Sequence, residues 1–208
     1  MPSSNTKNAV RISTSERIIV TAERLFSERG VDAVSLREVG AEAGQRNSGV
    51  VQYHFGDKEH LLTAILEFRM QRINEHRRRM LDAVELQGRE PDLREYVEAF
   101  ILPLATDNTP DSHYARFCAQ LLADPRRRRG LGRDSASSLR ETWAGIRASL
   151  DSLPADMIED RLSMLINMSI RTIADHEGAF SDADTAWVIN LIDAAIGLLT
   201  APVSVARA

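Results

Sequence analysis

The sequence is short of several things, and each shortage excludes something. It has one cysteine, Cys118, in 208 residues. That excludes an intramolecular disulfide and a zinc site built on cysteine pairs. A lone thiol suits a reducing compartment, so a cytoplasmic protein is expected. Aromatics are only 5% against 43% apolar residues, with 11 Gly and 7 Pro, a globular composition that is neither disordered nor collagen-like. The length allows one or two domains, and a chain of this size buries roughly 70% of its unfolded surface without covalent staples.

Long hydrophobic runs are scarce as well. Met1 to Glu16 has no apolar core, so no signal peptide is expected. Ala186 to Ala206 is apolar, but Asn190, Asp193 and Pro202 interrupt it, and roughly 20 clean residues are needed to cross a bilayer. A buried helix is predicted there. Enzyme signatures are missing: there is no GxGxxG, P-loop or GxSxG. None of His54, His60, His76, His113 and His176 has a glutamate three residues before it, as di-iron bundles require. No catalytic residue, metal or cofactor is expected.

Lysine is scarce too. Only Lys7 and Lys58 occur, so 24 of the 26 basic residues are arginine. The formal net charge is −4 and the pI about 5.8, where a bulk screen for nucleic-acid binders looks for roughly pI > 9. The average hides a division. Residues 1–60 hold 8 basic and 8 acidic side chains; residues 61–208 hold 18 and 22. The head is balanced and the rest is acidic, so any attraction for DNA must be local.

What is present is helical periodicity nearly throughout, with no sustained period-two alternation and no repeat at 20–50 residues; the fold class is all-α, with about nine helices. Residues 1–12 are polar and expected to be a disordered arm. Ser13 and Glu16 form a capping-box pair that opens a helix ending at Gly30. Ser35 and Glu38 open a second, which stops at Gly44. A third short helix runs from Gly49 to Phe55, and Asp57 caps a long fourth. Five more are predicted: Asp92 to about Ala105, Ser112 to Ala123, Ser135 to Leu150, Pro154 to Gly178, and Ser181 to just before Pro202. The domains divide as 13–56, a helix-turn-helix head, and 57–208, a helical body. The boundary has no linker, because the fourth helix runs straight on from the head.

Three short helices around a tight polar turn, Gln45-Arg46-Asn47-Ser48, are a helix-turn-helix arrangement, whose second helix enters the major groove. Asn47, Ser48 and Gly49 put small side chains at the end that approaches the bases. Tyr53 and His54, one turn on, suit phosphate contacts, while Phe55 is expected to pack the small core. Lys58 lies where a helix dipole disfavours a cation, which points to function.

Ser15 to Met70 resembles the DNA-binding domain of the tetracycline-repressor (TetR) family. The resemblance is carried by Ala22-Glu23-Arg24-Leu25-Phe26, Gly30, Ser35, Leu36, Val39, Ala43-Gly44, Tyr53-His54-Phe55, Lys58 and Leu61-Leu62. It covers about a quarter of the chain. A weaker likeness continues through Pro103, Tyr114, Asp124-Pro125 and Arg161-Leu162. The resemblance implies a homodimeric, ligand-responsive transcriptional regulator, most often a repressor, released from a palindromic operator by a small-molecule effector. It adds Ser35, Arg37, Arg46 and Val50 to the DNA-contacting set and assigns Lys58 to a phosphate. The sequence departs twice from the family pattern. The turn between Gly44 and Asn47 holds one residue more, and Gln52 stands where tyrosine is usual, so Gln52 reads a base edge or meets a phosphate.

The predicted helix 154–178 is apolar on two sides and must be covered on both. Leu162, Leu165, Ile166, Ser169 and Ile173 share one face; with Val188, Leu191, Ile192, Ala195 and Leu199 of the last helix they are the dimer surface the resemblance implies. Met164, Asn167, Met168 and Arg171 share the other and are candidates to line an effector pocket. Candidate walls from other helices are Phe68, Arg72, Phe100, Tyr114, Phe117, Leu121 and Trp143. The arginine runs 77–79 and 126–129 are expected to be solvated charge. Two rival readings remain: an all-α small-molecule-binding protein or enzyme without DNA binding, and a helical protein–protein adaptor.

Overall fold

The computed structural model describes residues 13–47, 49–106, 112–128, 137–178 and 185–204. Ser48, the arm 1–12 and the predicted helix starts at Ser135 and Ser181 lie outside them. The described residues form ten helices and no strand: α1 (Thr14–Arg29), α2 (Leu36–Glu42), α3 (Val50–Phe55), α4 (Lys58–Glu85), α5 (Leu93–Thr106), α6 (Tyr114–Ala123), α7 (Pro125–Arg128), α8 (Ser137–Ala148), α9 (Ala155–His176) and α10 (Ala186–Thr200).

The predicted starts are made by the chemistry that suggested them. Ser13 and Ser35 each accept from the backbone of the glutamate three residues on, and each glutamate reaches back to its cap's N–H at 2.8 Å. Asp57 accepts from His60 N, and Asp92 and Glu95 bond reciprocally. The helix beyond the expected nine is α7, within the second arginine run. Asp124 accepts the N–H of Arg126 at 2.9 Å, and Pro125 supplies a preset φ at the first position, so one turn forms.

Packing places α6 at the centre of the connection between head and body. It lies against α1 on one side and α9 on the other, while α5 is held among α4, α8 and α10. Phe26 of α1 stacks on Phe117 of α6 at 6.3 Å, so the head shares its core with the body. Arg161, buried in α9, donates to the carbonyls of Leu199 and Ala201. It thereby closes the end of α10, whose last carbonyls have no helical partner. Among the described residues no helix is long and apolar enough to cross a membrane.

The arginine runs are not uniformly solvated. Arg77 is fully buried, because it continues the apolar stripe Ile73–Leu81 at four-residue spacing. Its neighbour Arg78 lies between Asp82, Glu85 and Glu141. Arg127 is mostly buried and paired with Asp32 of the head at 2.6 Å and with Asp124 at 3.0 Å.

Candidate nucleic-acid interface

The geometry of the interface begins at the turn. Gly44 adopts φ +72°, a conformation that costs glycine little, and ends α2. Gln45 N–H then bonds to Gly40 O at 2.9 Å. Asn47 Oδ1 accepts Gly49 N–H at 2.9 Å, and its carbonyl accepts Val50 N–H. Asn47 thus tethers the start of α3 from outside the helix. Across the turn α2 and α3 nearly touch: a Cβ on Gly40 would stand 3.3 Å from Val51 Cγ2. Val51 is wholly buried and Val50 and Phe55 are half-buried against the core, which together fix the rotation of the short helix.

The face opposite Val51 consists of Gln52, Tyr53 and His54, all exposed. Tyr53 is 88% exposed, with the His54 ring edge-on at 5.5 Å. A tyrosine normally buries much of its ring, so one held this far into solvent marks a contact surface. Asn47, Gly49, Arg37 and Arg46 are exposed too, and the two arginines make no ion pair among the described residues.

Three of the expected DNA contacts are otherwise engaged. Val50 is half-buried against the core, not part of the exposed face. Ser35's hydroxyl both accepts from Glu38 N and donates to its carboxylate at 2.8 Å, so it serves the helix start. Lys58 Nζ donates to the carbonyl of Val31 at 2.9 Å. That bond satisfies a carbonyl in the α1–α2 turn and leaves two ammonium protons for a phosphate.

Behind this surface, buried carboxylates tie the head to the body. Glu23 of α1 has no exposed surface, accepts from Arg69 of α4 at 2.6 and 2.7 Å, and also accepts His113 N–H at 3.1 Å. Glu177, beyond α9, accepts the N–H groups of Ala115 and Arg116 at 2.8 and 3.0 Å. It caps α6 from a distant part of the chain, and burial raises its carboxyl pKa. Sequence reasoning missed both. The signal for Glu23 was a charge on the apolar face of Ile19, Ala22 and Phe26; Glu177 leaves no local trace.

The body reverses the two faces assigned to helix 154–178. Leu162, Leu165, Ser169 and Ile173, with Val188, Leu191, Ile192, Ala195 and Leu199, are buried within the chain itself, and Ile166 is half-buried. They are intrachain core, because α5, α6 and α10 already cover them. The supposed pocket stripe faces out: Met164 is 56% exposed, Asn167 and Arg171 are exposed, and Met168 is half-buried. Among the predicted walls, Phe100, Tyr114, Phe117 and Leu121 are buried core, Phe68 and Trp143 are half-buried, and Arg72 is exposed. A cleft of about 400 Å³ opens between α1, α6 and α9, lined by Ser27, Arg116, Gln120, Arg171 and Asp175 over three alanines. Of the predicted pocket residues it includes Arg171 alone.

Fold and exposed α3 face together define an all-α chain with a helix-turn-helix head. Residues 18–65 match the family model described as bacterial regulatory proteins, tetR family. Similar solved structures include a tetR family transcription regulator from Shewanella sp. PV-4 (TM-score 0.64, 18% identity, 90% of this chain and 96% of that one). A transcriptional regulator from Rhodococcus sp. Rha1 has TM-score 0.58 and 20% identity over 90% and 96% of the two chains. GusR of Salmonella enterica has TM-score 0.56 and 19% identity over 93% and 98%. No curated protein sequence matches significantly. Residues 18–65 thus match the TetR-family model, and the whole chain shares the fold of these solved regulators.

Proposed function

We propose that this DNA-binding regulator is a homodimeric, cytoplasmic repressor without enzymatic activity that binds a palindromic operator and is released by a small molecule. The observation that carries the reading is the α3 face: Gln52, Tyr53 and His54 stand in solvent while buried Val51 helps to fix the helix. Single half-sites offer too few base edges, and two heads spaced roughly 34–36 Å apart would read two successive major-groove faces. The outer faces of α9 and α10 suit a self-complementary contact, since Met164 and Ile189 are both 56% exposed. The direct bonds of Glu23 and Asp32 to the body give a ligand a route to the heads. A ligand acts only through preferring one arrangement of them.

Selection from random duplexes by gel shift tests the reading. Recovery of a palindromic site, with affinity falling steeply as salt rises, is the expected result. Recovery of no preferred sequence at moderate salt would sink it. Native mass spectrometry of protein from its own host gives the subunit count and any retained ligand, and a monomer on operator DNA contradicts the dimer.

A further inference from the structure

Arg77 is the one fully buried arginine among the described residues, and it has no carboxylate partner there. Its Nε donates to Ala99 O at 3.0 Å. That carbonyl is free because Pro103, four residues on in α5, has no N–H to give it. Nη1 donates to Asn74 Oδ1. Nη2 is buried and donates to no group of the described residues. Among the described residues no carboxylate bears on it: its titratable neighbour is Tyr114 of α6, and Ser138 and Thr142 of α8 are buried hydroxyls, with Ser138 Oγ on Asn74 O at 3.4 Å and Thr142 Oγ1 on Ser138 O at 2.8 Å.

A contrast within the same molecule sharpens the point. Arg161 is also buried without a carboxylate, but both its amino groups bond to the carbonyls that end α10. Arg127 has an unbonded Nε but lies among three acids. Burial pulls the Arg77 pKa down to about 10, which still leaves it charged at neutral pH. A buried charge is costly unless something neutralises it. Two aromatics flank the position in sequence: Phe100 follows Ala99, Trp143 follows Thr142, and their rings pack at 4.7 Å.

We propose that Arg77 Nη2 receives an anionic group, a carboxylate or its equivalent, at the α4–α5–α8 junction, and that the effector of this regulator is therefore an acid. The proposal rests on the ligand-responsive reading above. The anion arrives either as part of an organic ligand with an apolar remainder or as a free inorganic ion.

Thermal unfolding of the full chain tests it, with benzoate and octanoate as organic probes, benzamide as the neutral counterpart of benzoate, and chloride and sulfate at matched ionic strength. The expected result is a rise of about 3 °C or more with at least one carboxylate and none with benzamide, lost in Arg77→Met and kept in Arg79→Met. A rise with chloride or sulfate alone, also lost in Arg77→Met, supports the anion site and assigns it to a free ion. No anion giving a rise that depends on Arg77 overturns the proposal. Should Arg77→Met fail to fold, the Nε–H resonance of Arg77 in the unaltered protein is the second readout, and its indifference to every anion overturns it equally. Retention of operator DNA on the same samples separates the two readings. An Arg77-dependent shift without change in DNA affinity leaves the anion site and removes effector release. Release by an acid that persists in Arg77→Met does the reverse.

Discussion

Glu23 and Arg69 form a buried bidentate ion pair between the first helix of the head and the helix that leaves it, with N···O distances of 2.6 and 2.7 Å. Glu23 has no exposed side-chain surface and Arg69 only 15%. Removing one partner leaves the other charged and buried, so Glu23→Gln should cost about 3–5 kcal/mol. The double change Glu23→Leu with Arg69→Met should recover most of it, because apolar replacement removes both desolvation costs. Urea unfolding of the parent and the two variants measures this. A loss under about 1 kcal/mol for Glu23→Gln would show that the pair does not hold the head.

The exposed face of α3 predicts a separation of stability from binding. Tyr53→Ala should leave Tm within about 1 °C, since the ring touches little, and should weaken operator binding about tenfold or more. Arg37→Ala and Arg46→Ala should each lower the salt slope of binding by about 1, whereas Tyr53→Ala should not. Unchanged slopes in both arginine variants would remove them from the interface.

Lys58 is expected to act twice. Its bond to Val31 O is neutral at the acceptor and half-buried. Lys58→Met should therefore lower stability by about 1 kcal/mol as well as weaken DNA binding. A melt identical to the parent, with binding reduced, would show that the ammonium serves DNA alone.

The close approach of α5 and α8 depends on Gly145. A Cβ there would stand 2.1 Å from Tyr96 Cζ. Gly145→Ala should destabilise the body by about 1–3 kcal/mol unless the ring is absent. In a double-mutant cycle the penalty should vanish against Tyr96→Ala, and purely additive losses would contradict the contact.

Acid should loosen the start of α2. The Ser35 backbone N–H, then its hydroxyl and Arg29, hold the Glu38 carboxyl down to about 2. The folded value lies below the unfolded one, so this contribution is complete above about pH 4.5 and is lost as pH falls towards 2. Thermal melts between pH 6 and 2.5 should fall more steeply for the parent than for Glu38→Gln. Parallel slopes would show that the box carries no linkage.

Much was legible because it is local. Capping pairs at Ser13, Ser35, Asp57 and Asp92 lie three residues from their partners, and chain spacing alone brings them together. The same holds for the turn before α3 and for the short helix that presents Tyr53 and His54. The α9 assignment failed for the opposite reason. A helix apolar on two sides states that both must be covered and does not say by what, and the chain's own α5, α6 and α10 took the face reserved for a partner.

The sequence by itself determined an all-α chain and the capped starts of its helices, since periodicity and capping are local physics. Only the tertiary structure decided which charges are structural. Glu23 meets Arg69 across 46 residues, Glu177 meets α6 across 61 and 62, and Arg77 lies in the core beside a carbonyl released by Pro103. A charge reads alike in the sequence whether it is solvated or buried. Its cost and its use appear only when distant segments remove the water around it.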